Sequence, residues 1–386
     1  MSPSENRFIY QKNSTYFAQT AGGLEDLAAL EAQSLGAAQV TPGFRGFWFY
    51  GQQDVMYNIN YQARLITRVL APLFTFRCTR VDDIYRHAWK IDWTQLFGLD
   101  TTFAVFSMVS NSAITHSKFA ALKLKDAIAD KFRERRKGRR PDVDPSAPGI
   151  RFVLHINNNR ATVHLDTSGD SLHMRGYRKK SVPAPMRETV AAAIIRMSRW
   201  NGEKPLYDPM CGSGTLLAEA LMHISRVPAG YLRKRFGFEA MPDFSREVWN
   251  RVKAAADSRI HAARPGLISG SDISGTAVNA SAANLAALPF GSDVTLTRRD
   301  FKDIEDLGSH VIVTNPPYGI RLKNKPQAES LITSLGDFLK QRCTGTEAYV
   351  YFGDRQLIKK VGLRTSFKKP LHSGGLDGRL CRYDLY

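Results

Sequence analysis

An Asn-Pro-Pro-Tyr motif, Asn315 to Tyr318, directly follows a short β-branched run, Val311 to Thr314. The run predicts a buried strand, which must end here because proline fixes φ and lacks the N–H that a ladder needs. The Asn315 side-chain oxygen and the Pro316 carbonyl oxygen both accept hydrogen bonds. Two acceptors at a strand's carboxyl end can hold the hydrogens of an exocyclic amine, while Tyr318 stacks on the ring that carries it. The structural alternative is a proline turn that caps a strand beside a buried tyrosine.

A second motif, Asp-Pro-Met-Cys-Gly-Ser-Gly-Thr, spans Asp208 to Thr215 between a strand-like and a helix-like segment. Gly212 and Gly214 allow a ligand to approach the backbone closely, and the start of the following helix adds oriented N–H groups. The motif lacks the G-x-x-x-x-G-K-[ST] pattern of a phosphate loop, which argues against nucleotide hydrolysis. Cys211 lies inside the glycine turn without a base at a matching position, so we do not expect it to be a nucleophile.

Two further predicted strands end in acids, at Asp272 and at Asp300. A carboxylate after the second strand can bind a ribose diol, and one after the third can accept from an adenine amine. Each alone would pass for a surface or helix-capping aspartate. Together with Asp208 and Asn315 they form a constellation at the ends of successive strands, where ligands bind in an open α/β sheet.

The charge balance points to a polyanionic partner. The chain has 54 Lys and Arg against 36 Asp and Glu, a net charge of +18 and a pI near 9.8. Such an excess favours nucleic acid over a membrane surface, although a basic surface that serves solubility is the alternative.

Cysteine spacing and the N-terminus bound the setting. No two of the four cysteines have metal-ligand or C-x-x-C spacing, so we expect neither a metal site nor a disulfide framework. The N-terminus carries no apolar signal segment, and no run approaches transmembrane length. These features predict a cytoplasmic protein with no membrane association.

The length of 386 residues predicts two or three domains. Residues 1–75 predict a small α+β unit, in which Asp54 to Leu70 has the apolar spacing of a helix. Residues 76–178 form a second unit, 179–190 a linker, and 191–386 an alternation of strands and helices that favours a parallel sheet. The long gap between Asp208 and Asp272 predicts an insertion at about 224–264.

A Lys-studded amphipathic helix in the second unit runs into a basic stretch of seven Lys or Arg, Lys131 to Arg140. A solvated face is the ordinary reading of such a run, but in a chain this basic we favour contact with an RNA or DNA backbone. Such contacts position a substrate without reading its sequence. The cations predicted to bind RNA are Lys123, Lys131, Arg133, Arg135, Arg136, Lys137, Arg139, Arg140, Arg175, Arg178 and Lys179.

The two motifs resemble those of class I methyltransferases that use S-adenosylmethionine. Asp208 to Thr215 resembles their cofactor loop, and Asn315 to Tyr318 resembles their catalytic motif for amino nitrogens. Residues 76–178, ending in Gly169 to Arg178, look like a THUMP RNA-binding domain preceded by a ferredoxin-like domain. The insertion also resembles that of the same enzymes, in Arg235 to Phe238 and in Trp249. The chain is similar to the N-terminal half of the bifunctional large-subunit ribosomal RNA methyltransferases and to their stand-alone relatives.

The resemblance implies a Rossmann-like domain with a mostly parallel seven-stranded sheet, and methylation of guanine N2 in RNA, above all 23S ribosomal RNA. One methyltransferase domain implies no second activity, and we expect a monomer. By position, the residues implied to bind the cofactor are Asp208, Met210, Cys211, Gly212, Gly214, Thr215, Asp272, Ile273, Asp300, Glu188 and Thr189. Those implied to hold the target guanine are Asn315, Pro316, Pro317 and Tyr318.

Several alternatives remain open at this point. The substrate is transfer RNA in one of them, because THUMP domains occur on enzymes for both RNA classes. An adenine-N6 DNA methyltransferase can use the same Asn-Pro-Pro-Tyr motif, although the THUMP-like half argues against it. The large basic half argues against a protein glutamine methyltransferase. A non-catalytic RNA-binding assembly factor is the last alternative, and the intact cofactor motif argues against it.

Overall fold

A computed structural model of the chain describes residues 8–183, 185–317, 325–372 and 377–386. Within these ranges the strands form two seven-stranded sheets, one in each half of the chain. The predicted fold is confirmed: an α+β N-terminal part precedes an α/β domain with a mostly parallel sheet. No helix in the described ranges is long and apolar enough to cross a membrane.

One sheet runs through both predicted N-terminal units. Its strands are β1 (Thr15–Thr20), β2 (Ala38–Gly43), β3 (Gly46–Tyr50), β4 (Ile66–Arg77), β5 (Phe103–Ser110), β6 (Ile150–Asn157) and β7 (Arg160–Asp166), in the order β2-β3-β1-β4-β7-β6-β5. The helices are α1 (Ile9–Asn13), α2 (Glu25–Ser34), α3 (Gln53–Gln62), α4 (Val81–Ala88) and α5 (Ser117–Arg135). The long strand β4 pairs with β1 on one side and with β7 on the other, so the boundary proposed at residue 75 falls inside a strand.

The predicted helix from Asp54 to Leu70 is wrong in its second half. Helix α3 ends at Gln62, and Ala63 already has extended dihedrals (φ −64°, ψ 133°). Ile66 and Leu70 are both fully buried, but on strand β4. A strand buried on both faces carries a near-continuous apolar run, which also satisfies the spacing of a helix.

The second sheet belongs to the C-terminal half. Its strands are β8 (Leu206–Asp208), β9 (Ile268–Asp272), β10 (Thr295–Arg298), β11 (Val311–Thr314), β12 (Glu347–Phe352), β13 (Phe367–Pro370) and β14 (Arg379–Asp384), in the order β10-β9-β8-β11-β12-β14-β13. The helices are α6 (Glu188–Met197), α7 (Thr215–Ile224), α8 (Arg246–Asp257), α9 (Gly275–Leu285) and α10 (Lys325–Arg342). The first five strands in this order are parallel, and β14 runs antiparallel to both of its neighbours. The carboxyl ends of β8, β9, β10 and β11 therefore meet at one edge.

The segment proposed as an insertion packs against the N-terminal half. Tyr61 donates to the Asp257 carboxylate at 2.6 Å, and its ring meets the edge of Trp249 with centroids 5.2 Å apart. Tyr57 stacks at a tilt on Phe238, with centroids 4.3 Å apart. An interface of buried aromatic rings joins the two halves through this segment.

Candidate active site

Strand β11 delivers Asn315 to the carboxyl edge of the sheet. Ile312 and Val313 are fully buried, as expected for a central strand flanked by β8 and β12. Because β11 is parallel to β8, Asn315 leaves the sheet beside the loop that follows Asp208. Asn315 and Gly212 line the same cleft, whose volume is about 420 Å³, a size ordinary for small-molecule sites.

The glycine loop leaves room for a ligand. Gly212 and Gly214 have φ of +57° and +77°, a region that a residue with a Cβ adopts only under strain. A Cβ on Gly214 would lie 3.0 Å from the Ser281 hydroxyl oxygen, so this glycine is required for packing. A Cβ on Gly212 would meet nothing within 4 Å except a Val182 methyl at 3.9 Å. The backbone of Gly212 thus faces open space in the cleft.

Asp272 holds this loop from the end of β9. One carboxylate oxygen accepts from the Gly212 N–H at 2.9 Å, and the other accepts from the Ser274 N–H at 2.9 Å. The Ser281 hydroxyl donates to the Gly212 carbonyl oxygen at 2.8 Å. A carboxylate oxygen accepts more than one hydrogen bond, so Asp272 keeps acceptor capacity toward the cleft.

The cleft fits the adenosyl cofactor that the motifs imply. Asp272 lines it as an acceptor suited to a ribose diol, and Asp300 lines it with one oxygen accepting from the Lys302 N–H at 3.1 Å. Ile273 is 65% exposed on its wall, although large aliphatic side chains are usually buried, and it offers a flat apolar contact. Met210 also lines the cleft, while Asp208, Cys211 and Thr215 line a small pocket that adjoins it and shares Asn315.

Asn315 presents a free acceptor. Its Oδ1 atom is buried and makes no hydrogen bond to any part of the chain that the structure describes. A buried acceptor without a partner costs free energy, and such atoms are uncommon. Pro316 is buried and Pro317 lines the cleft, whereas Tyr318 lies outside the described residues.

Burial raises the pKa of both ionisable groups in the loop, Asp208 and Cys211. Asp208 is 1% exposed, and burial raises its pKa to about 7 against the hydrogen bond from the Met210 N–H at 3.1 Å. Burial, followed by the nearby Asp208 carboxylate, raises the pKa of the Cys211 thiol well above its usual range. A thiol held protonated in this way does not attack as a thiolate, in agreement with the expectation for Cys211.

Glu188 and Thr189 are not brought into this cleft. Both are buried at the start of α6, where Glu188 accepts from the Arg178 guanidinium at 3.0 Å. Arg178 also donates to the Ser213 hydroxyl at 3.2 Å. Arg178 thus ties the end of the THUMP-like unit to the cofactor loop, and its guanidinium is largely occupied within the protein.

Two of the cations predicted to bind RNA are buried, and for them the prediction is wrong. Arg175 is 1% exposed and pairs with the buried Glu219 carboxylate at 3.2 Å. Lys131 is 8% exposed, pairs with Glu134 at 2.6 Å and lies over the Trp89 ring. The net positive charge of the sequence does not indicate which cations are buried against carboxylates in the folded chain.

Apart from Arg178, the other predicted cations remain accessible. Lys123 is half-buried 3.8 Å from Asp82, and Arg133 pairs with Asp130 at 2.6 Å. Exposed side chains follow at Arg135, Arg136, Lys137, Arg139, Arg140 and Lys179.

Sequence reasoning missed several walls of the cleft. Val182 and Pro183 come from the predicted linker, Phe301 and Lys302 from the turn after β10, and Leu331 from α10. The proline at 183 was a signal that the linker is stiff, but nothing in it indicates the cleft. Within the described ranges, no group of three or more His, Cys, Asp or Glu is placed to hold a metal ion, and the four cysteines are free and buried.

Family models match three parts of the chain. An RMKL-like methyltransferase domain matches residues 175–382, a THUMP domain residues 78–166, and an RlmL ferredoxin-like domain residues 15–70. These matches follow the order of the two sheets along the chain.

Curated relatives resemble almost the whole chain. A Synechocystis sp. protein named as a candidate RNA methyltransferase is 38% identical over 96% of this chain and 97% of its own length. The ribosomal RNA large subunit methyltransferase K/L of Syntrophotalea carbinolica is 36% identical over 96% of this chain, which spans only 53% of that longer protein.

Solved structures share the fold over nearly its full extent. SMU.472, a candidate methyltransferase crystallised with S-adenosylhomocysteine, matches with a TM-score of 0.84 and 25% identity over 96% of this chain and 98% of its own. A Listeria monocytogenes protein described as an N6-adenine-specific DNA methylase matches with the same score and identity over 98% and 99%. TrmN from Thermus thermophilus, at 16% identity and a TM-score of 0.70 over 96% and 99%, shows the fold alone.

Proposed function

Since the chain belongs to the RMKL-like methyltransferase family, we propose that it transfers a methyl group from S-adenosylmethionine to the exocyclic N2 of a guanosine in 23S ribosomal RNA. S-adenosylmethionine is the cofactor of this methyltransferase fold. The observation that carries the proposal is the buried Asn315 oxygen, which lines the cleft beside Gly212 and has no partner within the described residues.

The residues that hold the cofactor follow from the cleft. Gly212 offers its open backbone, Asp272 accepts from the ribose hydroxyls, and Asp300 accepts from the adenine amine. Ile273 offers its apolar surface to the adenine ring. Asp208 stabilises the loop by accepting the hydrogen bond from the Met210 N–H. When bound, the sulfonium supplies an activated methyl group, so the protein's contribution is mainly placement.

At the amine, Asn315 Oδ1 and the Pro316 carbonyl oxygen each accept one N2 hydrogen. The N2 lone pair is conjugated with the guanine ring, and these hydrogen bonds favour the pyramidal geometry in which the lone pair points at the methyl group. The motif itself contains no carboxylate base, and the proton leaves to water. The guanine must leave its stack to reach the pocket, which costs a few kcal/mol.

Two features support RNA over the alternatives. The THUMP match supports an RNA substrate, and the names of both curated relatives refer to methylation of RNA. The K/L relative favours ribosomal RNA over transfer RNA, with transfer RNA as the alternative substrate. Adenine N6 in DNA is a second candidate, because Asn315 can accept from either amine and the Listeria neighbour carries that description.

Mass-spectrometric mapping of modified nucleosides tests the proposal. RNA and DNA are isolated from a strain that lacks the gene and from its parent, and the purified protein then methylates the material from the deletion strain. We expect one N2-methylguanosine to be absent from large-subunit ribosomal RNA and restored in vitro. Loss of N2-methylguanosine from transfer RNA would reassign the substrate to transfer RNA. Restoration of N6-methyladenine in DNA instead would overturn the proposal.

A further inference from the structure

A second groove, of about 630 Å³, lies beside the catalytic cleft. Three segments form it: residues 170–178 at the end of the THUMP unit, the linker at 185–188, and loop 232–235 of the insertion. Neither cofactor chemistry nor the amine site uses this groove. We refer to it as the interdomain groove.

The interdomain groove leads to the amine site. Pro185 and Met186 line the groove on one side and, on the other, the small pocket that contains Asp208 and Asn315. Pro185 and Met186 therefore separate the groove from the amine site. A nucleic-acid strand in the groove can present a base to Asn315 past these two residues. Met174, 56% exposed in the groove wall, offers an apolar contact for a neighbouring base.

The groove has exposed cations without ion pairs. Arg187, Lys234 and Arg235 line it with exposed side chains, and none of them forms an ion pair with a residue that the structure describes. The carboxylates nearby are engaged: Asp170 lies 3.6 Å from Arg151, and buried Glu188 pairs with Arg178. The groove thus presents unneutralised positive charge.

The electrostatics of a neighbouring histidine agree with this excess. His173 lies in the groove wall, and its pKa is lowered to about 4 by burial and then by the positive charge of Arg187, Arg175, Arg68 and Arg178. Burial is the larger cause of this lowered pKa, and the positive charge that adds to it also attracts anions.

The loop that carries two of these cations is rigidly attached. The Arg233 guanidinium donates to four carbonyl oxygens of the THUMP end, those of Ser168, Asp170, Ser171 and Met174, at 2.8 to 3.3 Å. Arg233 is therefore structural, and it fixes the adjacent Lys234 and Arg235 in the groove wall. A loop whose backbone is already fixed loses less conformational entropy on binding a phosphate than a mobile loop.

One cation of the groove contacts the segment that follows the exposed basic run. Arg235 donates to the Gly149 carbonyl oxygen at 3.5 Å, and Gly149 precedes β6. The segment between Arg140 and Gly149 borders the start of β5, where the Phe103 N–H donates to the Asp142 carbonyl oxygen at 2.9 Å. Arg235 therefore contacts the end of the segment that follows the exposed basic run in the chain.

We propose that the interdomain groove binds the single RNA strand next to the target nucleotide, with Arg187, Lys234 and Arg235 contacting its phosphates. The inference rests on the proposed RNA activity and assigns the substrate contact within it. A single strand fits because the target base must be splayed out, and sequence-specific recognition of RNA mostly uses unpaired segments. Backbone contacts in the groove would offset part of the cost of splaying the base.

The test uses the full chain with both residues of the loop changed, Lys234→Gln with Arg235→Gln. Binding of a fluorescein-labelled oligouridylate is followed by fluorescence anisotropy over a series of KCl concentrations. Each phosphate contact to a single strand contributes about 0.7 to the slope of log affinity against log salt, so the slope should fall by about 1.4. In methylation assays with RNA from the deletion strain, KM for RNA should rise about tenfold while the affinity for S-adenosylmethionine stays unchanged.

The matched control is Lys368→Gln with Lys369→Gln, two adjacent exposed lysines on strand β13. It removes the same charge at two lysines that do not line the groove, and thermal melting verifies that both variants fold. An unchanged slope in the loop variant, or an equal fall in the control, would overturn the groove assignment. A third variant, Arg135→Gln with Arg136→Gln, lies in the basic run. A fall in the salt slope confined to this variant would also overturn the groove assignment. Anisotropy requires no methyl transfer, so the groove can stand even where the guanine-N2 assignment fails.

Discussion

The side-chain amide of Asn284 donates to the Ser213 carbonyl oxygen at 2.9 Å, inside the cofactor loop. The same side chain donates to the Lys180 carbonyl oxygen at 2.8 Å and accepts from the N–H groups of Lys179 and Lys180 at 2.7 and 2.9 Å. Asn284 is fully buried in α9. One amide therefore fixes the linker, and with it the Val182 wall of the cleft, to the loop that receives the cofactor.

Replacing Asn284 by alanine should loosen both segments. Four backbone groups would lose their partner, and we expect the free energy of unfolding to fall by about 3 kcal/mol. The affinity for S-adenosylmethionine should also fall, since Val182 and Gly212 would no longer be held together. Chemical denaturation and calorimetric titration measure the two effects. Asn279→Ala, an exposed position on the same helix, is the control and should change neither.

Strand-end logic located much of the candidate site from sequence. Asp208, Asp272, Asp300 and Asn315 each follow a predicted parallel strand, and such strand ends must share an edge. Because these residues carry carboxylate or amide groups, the sequence also indicates that the site presents hydrogen-bond acceptors. Asn284 could not be found in this way, because a polar residue in the last turn of a helix has no local signature of the two segments that it joins.

Burial is where sequence patterns were insufficient. Arg175 and Lys131 carry the same charge as their exposed neighbours, and only the folded chain shows that Glu219 and Glu134 engage them. The apolar residues Ile66 and Leu70 fit a helix by spacing, yet their partners are the strands on either side of β4. These outcomes depend on contacts between residues far apart in sequence, which periodicity does not encode.

Substitution of Asn315 separates chemistry from cofactor binding. Asn315→Ala removes the acceptor for the target amine, and methyl transfer should fall by at least about a hundredfold with cofactor affinity largely intact. Asn315→Asp keeps an acceptor oxygen at the same place and should retain more activity than the alanine variant. Turnover and calorimetric titration with S-adenosylmethionine check both. Alanine and wild-type proteins with equal turnover would remove Asn315 from the reaction.

The buried Asp208 should make the cofactor-free protein sensitive to pH. Its pKa rises from 3.8 to about 7 on folding, so the folded state favours the protonated carboxyl. The stability it contributes is full below pH 3.8 and is lost as pH rises through about 7. Asp208→Asn keeps an acceptor for the Met210 N–H and cannot ionise. The melting temperature of the wild type, relative to this variant, should therefore fall between about pH 4 and about pH 8; parallel curves would contradict the assignment.

Glu219 couples the two halves of the chain through a buried charge cluster. Its carboxylate, fully buried on α7, lies 3.2 Å from Arg175 and 3.5 Å from Arg64, and it accepts from the Tyr177 hydroxyl at 3.4 Å. Glu219→Gln would remove the largest counter-charge of two buried or half-buried guanidinium groups, at a cost of about 3–5 kcal/mol.

Because α7 begins at the cofactor loop and Arg175 belongs to the end of the THUMP unit, the same change should also disturb the position of RNA relative to the methyl group. We expect a fall in kcat for RNA methylation in addition to the lower melting temperature. Glu203→Gln, an exposed position outside the cluster, should alter neither quantity. A Glu219→Gln protein as stable as the wild type would show that the cluster does not hold the halves together.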